Sequence, residues 1–295
     1  MESTADKAKQ PLRTSVWLEG KPAARGRKSE RSDHPTGLDR ERIIAVSVRL
    51  LDAEGPAKFS MRRLATELGV TAMSLYWYVD TKDDLLELAL DSVYPEIGAL
   101  ESADTDADTD ADTDADADAD ADADIDTGTD SEPVSAPAPA PEADWRDELR
   151  ALAVSYRALL VRHPWVSPLV GKFLNIGPNS MEFSAAVQRV MRRTGLLAHG
   201  QMGALSAVFQ FVYGFGTIEG HFVQRCDEAG MTQDQYYRHA MGTIHEQPEY
   251  RGRFDQAAEL MAARGGQTVE EMRERDFTFA LEVLIAGIEE MRARG

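Results

Sequence analysis

Between Asp104 and Asp126 every second residue is aspartate, alternating with alanine or threonine and, near the end, Ile125. A period of two would suit a strand, but neither face carries a large apolar residue before Ile125. Like charges at alternate positions also repel, so nothing favours a packed state. The Pro- and Ala-rich run Pro133–Pro141 follows, and residues 99–144 are expected to form a disordered linker. Whatever folds must do so on either side. We expect a flexible basic arm over 1–37, one domain over 38–98 and a second over 145–295.

The insert also accounts for the charge. The chain carries −19, yet seventeen of its 51 acidic residues lie between Glu101 and Asp144, where no Lys or Arg occurs. That leaves 34 acidic against 32 basic residues elsewhere, and residues 1–82 hold 15 basic against 11 acidic. A nucleic-acid partner for the N-terminal part is therefore compatible with the composition. The single cysteine, Cys226, excludes an internal disulfide. The most apolar stretch, Ala204–Val223, is broken by Gln210, Glu219 and glycines, whereas a membrane span needs ~20 predominantly apolar residues. No apolar leader is read at the N-terminus, and a cytoplasmic location without membrane contact is expected.

From Leu38 to Tyr94 the apolar period is helical. Ile43, Ile44, Val46, Val48, Leu50 and Leu51 mark a first helix that stops near Glu54-Gly55-Pro56. Ser60 caps a second, with Met61, Leu64, Ala65 and Leu68 on one face, and Gly69 ends it. Thr71 caps a short third helix carrying Leu75, Tyr76 and Tyr78, and Thr81 caps a fourth, with Asp83 and Asp84 suited to its N-terminal dipole. Beyond Trp145, helices are expected near 145–163, 181–194, 199–225, 232–245, 252–264 and 268–293, with no strand. The fold class is all-α: an N-terminal three-helix helix-turn-helix head and a C-terminal helical domain.

Two helices joined at Gly69-Val70 form a helix-turn-helix, whose second helix enters the major groove while flanking groups hold phosphates. Thr71, Ala72, Met73 and Ser74 stand at the N-terminus of that helix, where base edges are reached. Tyr76, Tyr78 and Lys82 offer hydroxyls and a point charge, and Arg62 a planar fork able to grip guanine bidentately. Leu64, Leu68, Leu75 and Trp77 are assigned to core, Arg63 and Glu67 to a solvated face. Arg25–Lys28 (RGRK) reads as a solvated tail, with phosphate or minor-groove contact as the alternative.

The run Phe59-Ser-Met-Arg-Arg-Leu-Ala-Thr-Glu-Leu-Gly-Val-Thr-Ala-Met-Ser-Leu-Tyr-Trp-Tyr-Val-Asp-Thr-Lys82 resembles the DNA-binding signature of TetR-type repressors, closest to the Tet repressor subgroup. A weaker similarity extends over Trp145–Phe222. The resemblance implies a homodimer that binds a double-stranded DNA operator and is released by a small-molecule inducer. By position it implies base contacts from Arg62 and Ala72-Met73-Ser74, and mainly backbone contacts from Tyr76, Tyr78, Thr81 and Lys82. Ala72 stands where the Tet repressor has glutamine and Tyr78 where it has histidine, so a different operator is expected. The magnesium-binding histidine of that repressor has no counterpart within Pro164–Pro178, so neither a metal nor a cofactor is expected.

A ligand pocket needs mainly apolar walls with a few polar groups. Trp165, Phe173, Phe209 and Tyr213 are the expected walls of a site for an apolar or aromatic inducer, with Arg157, Asn175, Gln210 and His221 as orienting groups. Gly214, Gly216 and Gly220 are unfavourable inside a helix by ~1 kcal/mol each relative to alanine, and imply either room for a ligand or close helix packing at a dimer interface. They do not form a dinucleotide loop, since no strand precedes them. No HExxH or nucleophile motif is present, so no enzyme is expected. An enzyme with an accessory DNA-binding head and a purely architectural DNA binder are the competing classes.

Overall fold

A computed structural model of the chain describes residues 14–19, 38–98 and 144–294. Among the described residues it is all-helical: α1 (Val16–Glu19), α2 (Arg40–Lys58), α3 (Met61–Leu68), α4 (Ala72–Leu75), α5 (Lys82–Val93), α6 (Trp145–Arg162), α7 (Val166–Val170), α8 (Pro178–Arg193), α9 (Ala198–Glu228), α10 (Gln233–Glu246), α11 (Pro248–Ala263) and α12 (Val269–Ala293), with a 3-10 turn at Tyr94–Ile97. Residues 99–143, the bulk of the expected linker, lie outside the described residues, as does most of the expected arm.

The caps read from sequence are present. Ser60 Oγ accepts from Arg63 N, Thr71 Oγ1 accepts from Ser74 N, and Thr81 forms a reciprocal capping box with Asp84. Gly69 ends α3 at φ +69°, and the Val70 amide returns to the Ala65 carbonyl at 2.9 Å. Helix α2 breaks at Gly55, whose φ of +74° lets the chain make one further turn through Pro56.

Helix α5 joins the two parts. Leu85, Leu86, Leu88, Ala89 and Leu90 are all buried, so it is surrounded on every side. It also buries two carboxylates whose partners come from distant chain. Glu87 accepts from Ser15 Oγ at 2.5 Å and from Val16 N at 2.8 Å. Residues 14–19, expected as part of a flexible arm, therefore fold onto α5, with Val16 buried. Asp91 accepts from Ser180 N at 2.9 Å and from Asn179 Nδ2 at 3.1 Å. It thus caps α8, which starts at Pro178 rather than near 181. A side chain at Gly177 would stand 2.3 Å from the Asp91 carboxylate, which explains the glycine there.

In the C-terminal domain α9 lies along α6. A Cβ at Gly216 would meet Leu160 at 3.0 Å, and one at Gly220 would stand 2.8 Å from the Leu160 carbonyl oxygen. These two glycines serve close packing within the protomer, rather than room for a ligand or an interface. Gly214, the third of these glycines, faces open space.

Candidate nucleic-acid interface and ligand cleft

The sequence builds an exposed edge by burying one side of a short helix. Leu75 and Val79 are buried and anchor α4 from below, and residues 76–78 continue it as turns, Tyr78 N bonding to Leu75 O at 3.0 Å. The other side faces solvent: Met73 and Trp77 are each 71% exposed and Tyr76 is also exposed. Thr71 is exposed and Ala72 and Ser74 half-buried. On α3, Arg62 is exposed and its guanidinium has no hydrogen-bond or ion-pair partner among the described residues. Arg63, one position on, pairs with Glu54 and Glu67, each at 2.8 Å. The Arg63 hydrogen bond holds the Glu67 carboxyl below its ordinary pKa, with Arg49 contributing. The expected solvated pair is therefore a small ion network, while Arg62 alone projects from the helix with its fork open.

One expectation changes, and three further groups are engaged within the head. Trp77, assigned to core, stands outside beside Met73 and joins the exposed edge. Its place two residues after buried Leu75 was the available signal, because on a helix that offset turns to the opposite side. Tyr78 is half-buried, and its hydroxyl donates to the Leu38 carbonyl at 2.8 Å. Lys82 Nζ donates to the Phe59 carbonyl at 2.5 Å and lies 5.5 Å from the Phe59 ring centre. Thr81 is engaged in its capping box. Tyr78, Thr81 and Lys82 thus tie the head together with the groups expected to meet phosphate.

The eight expected ligand residues do not line one cavity. Arg157 is buried, its fork on Glu219 at 2.6 and 3.0 Å and its third nitrogen on Glu274 at 2.6 Å. Its guanidinium lies 4.5 Å from the Phe277 ring centre and 5.2 Å from that of Phe215. It locks α6, α9 and α12 together. Trp165 is buried and donates to Asp52 at 2.6 Å. Asn175, at φ +53°, donates to the Val170 and Phe173 carbonyls at 2.8 Å and shapes the loop before α8, with Phe173 half-buried in the same loop. Gln210 and His221 are exposed.

Phe209 and Tyr213 do come together. Phe209 stacks on Tyr213 at 6.0 Å and on Tyr156 at 5.5 Å, Tyr156 meets Phe183 at 5.3 Å, and Phe183 meets Tyr94 at 5.7 Å. This aromatic row ends at a cleft of about 410 Å³ whose walls include Tyr94, Leu152, Asn179, Glu182, Phe183 and Arg189. The Tyr156 hydroxyl is buried with no hydrogen-bond partner among the described residues. Burial pushes the Tyr94 phenol up to about 12, Asp91 adding to the shift, and burial likewise raises Tyr156. Both are neutral donors near neutrality. Tyr94 and Tyr156 were missed as ligand-site candidates because they lie far apart in sequence on separate elements.

A wider, mainly apolar groove of about 640 Å³ runs between the start of α9 and the end of α12, past Ala204, Val283, Leu284, Ile288 and Met291. Beside it Met202 and Phe279 are exposed, Phe279 at 73%. Among the described residues no helix is long and apolar enough to cross a membrane.

Comparison with known proteins matches the same two regions. Residues 43–89 match the family described as bacterial regulatory proteins, tetR family, and residues 138–292 the tetracyclin repressor-like C-terminal domain. An HTH-type transcriptional regulator of Saccharopolyspora erythraea is 30% identical over 218 residues, covering 74% of this chain and 75% of its own length. The HTH-type transcriptional repressor DrrR1 of Streptomyces coeruleorubidus is 27% identical over 270 residues, covering 91% and 83%. Among solved structures, ActR of Streptomyces coelicolor in complex with actinorhodin shares the fold, with a TM-score of 0.56 at 22% identity over 86% of this chain and 96% of that one.

Proposed function

The chain belongs to the TetR family of bacterial regulatory proteins, and on that premise we propose that it is a dimeric repressor that binds an inverted-repeat operator and leaves it when a small molecule occupies its C-terminal domain. The observation that carries this reading is the exposed edge of Arg62, Thr71, Met73, Tyr76 and Trp77 on a rigidly capped helix-turn-helix. Ala72 and Ser74 flank it. The engaged groups of Tyr78, Thr81 and Lys82 hold the edge in place, and Lys82 retains further N–H groups for phosphate. Large apolar side chains left in water on α9 and α12, with the groove beside them, suit a second copy of the same chain, because exposed apolar patches of this kind mark interaction sites. Two identical heads related by a two-fold axis require a two-fold site in the DNA.

For the ligand, the aromatic row from Tyr213 to Tyr94 supports a flat apolar or aromatic molecule held without a metal ion. The Tyr156 hydroxyl, buried and unpaired, would donate to an oxygen of that molecule. The ActR complex with actinorhodin is a case of this fold holding a small molecule. Occupancy favours the form whose heads are wrongly spaced for the operator, and so shifts the population off DNA.

Footprinting on DNA selected by the protein, together with sedimentation, tests the first part: a protected inverted repeat and a two-chain complex are expected. An asymmetric half-site bound by one chain would sink it. Titrating that complex with a panel of aromatic compounds, with and without magnesium and chelator, tests the second. Release by an aromatic compound regardless of magnesium is expected, and release only with magnesium would overturn the metal-free reading.

A further inference from the structure

Where the head meets the C-terminal domain, one histidine stands between two carboxylates. His163, the residue that ends α6, is buried. Its Nδ1 lies 2.6 Å from Asp52 Oδ1 on α2, and its Nε2 lies 3.1 Å from Glu96 Oε1 in the turn that follows α5. Asp52 Oδ1 also accepts from Trp165 Nε1 at 2.6 Å, and Arg162 binds Glu96 at 2.6 Å. Two head segments far apart in sequence thus close on one imidazole of the body. Neutral imidazole has one N–H and donates to one carboxylate only; the doubly protonated ring donates to both.

We propose that His163 is a positioning group for DNA binding, which pins the reading head to the ligand-binding body by bridging Asp52 and Glu96. This rests on the repressor reading above. When the bridge is closed, the two heads of a dimer hold one spacing. When one link is lost, Asp52 and Glu96 are left facing each other across a neutral ring, the joint loosens, and binding must order the heads anew at a cost in affinity.

The bridge titrates. Burial disfavours the charged ring, but the Asp52 hydrogen bond and the charges of Asp52 and Glu96 outweigh it, so the folded-state pKa lies above the ordinary value of about 6.5. A pKa raised by folding contributes stability that is whole below about pH 6.5 and is lost as pH rises through the folded value. The other charged groups about the joint are Arg162 beside Glu96, and His221 and Asp227 of α9, which line the crevice they share with Asp52, Arg162 and Trp165. Because His221 stands at the same crevice, only a comparison of variants assigns the effect to His163.

The test uses the full chain and two readouts. The first is affinity, at fixed salt, for a DNA fragment enriched by wild-type protein from a random-sequence pool. The second, without DNA, is the head-to-body distance between spin labels at Thr66→Cys and Gln188→Cys, with labelled protein diluted into unlabelled protein. In wild type the distance distribution should broaden and affinity fall about three- to tenfold as pH rises from 6.5 to 8.5. In His163→Gln the distribution should be broad at both pH values and the affinity low and flat. Glu96→Gln, which keeps the histidine, should move the wild-type midpoint to lower pH. If His163→Gln and Glu96→Gln both retain the wild-type distances and pH profile, the bridge positions nothing and the proposal is overturned. If the wild type enriches no DNA, the repressor reading fails, while the distances still decide the bridge.

Discussion

Arg62 and Arg63 stand side by side on α3, yet only Arg63 finds acids within reach, in Glu54 and Glu67. On the repressor reading proposed above, the open Arg62 fork is the group that would meet a base edge. Arg62→Ala should relax base preference at one operator position by about 1–3 kcal/mol, while Arg63→Ala should leave the preference unchanged. Binding measured across single-base operator variants checks both; a preference in Arg62→Ala identical to wild type would remove Arg62 from the reading surface. Trp77 makes the complementary case. With 71% of its surface exposed, Trp77→Ala should alter stability by no more than about 0.5 kcal/mol while weakening DNA binding. Urea unfolding and binding read side by side separate the two, and a large loss of stability would return Trp77 to the core.

At the scale of elements, the contact between α6 and α9 is set by what is missing from α9. Gly220→Ala gains about 1 kcal/mol of helix propensity but places a methyl carbon 2.8 Å from a backbone oxygen and 3.3 Å from Val161 Cα. Backbone cannot yield as a side-chain tip does, so a net loss of about 1–3 kcal/mol is expected, visible as a lowered unfolding midpoint. Arg157 fastens the same pair of helices to α12. Arg157→Met would strand the buried Glu219 carboxylate, at a cost of about 3–5 kcal/mol, and the double variant Arg157→Met/Glu219→Leu should recover most of it. Equal stability of the single variant and wild type would mean that the pair does not close in solution.

For the molecule as a whole, the charge is divided as the chain is divided, with the acidic insert leaving the head after Gly98 and rejoining the body at Asp144. Deleting 104–126 should therefore leave the unfolding midpoint unchanged. It should also raise affinity for random-sequence DNA at low salt, with a smaller gain at high salt, because the removed aspartates repel phosphate only within a Debye length. Titration of labelled random DNA at two salt concentrations reads this directly, and a gain that does not depend on salt would rule out the electrostatic cause.

The amino-acid sequence alone determined what adjacent residues can settle. The caps at Ser60, Thr71 and Thr81 close over three positions of chain, and Gly69 stops its helix by its own backbone freedom, so the helix-turn-helix was legible turn by turn. The all-α class followed in the same way from apolar spacing. The start of α8 was not legible, because its cap is Asp91, supplied from α5 far back in the chain. Arg157 looked like a ligand group until Glu219 and Glu274 were brought to it, and Tyr78 looked free until Leu38 was. The aromatic row likewise draws Tyr94, Tyr156 and Phe183 from three elements. Each of these depends on two stretches of chain meeting, and no periodicity within either stretch specifies the other. Whether a polar side chain faces a partner or is left to bind was decided only when tertiary packing had used up its hydrogen bonds.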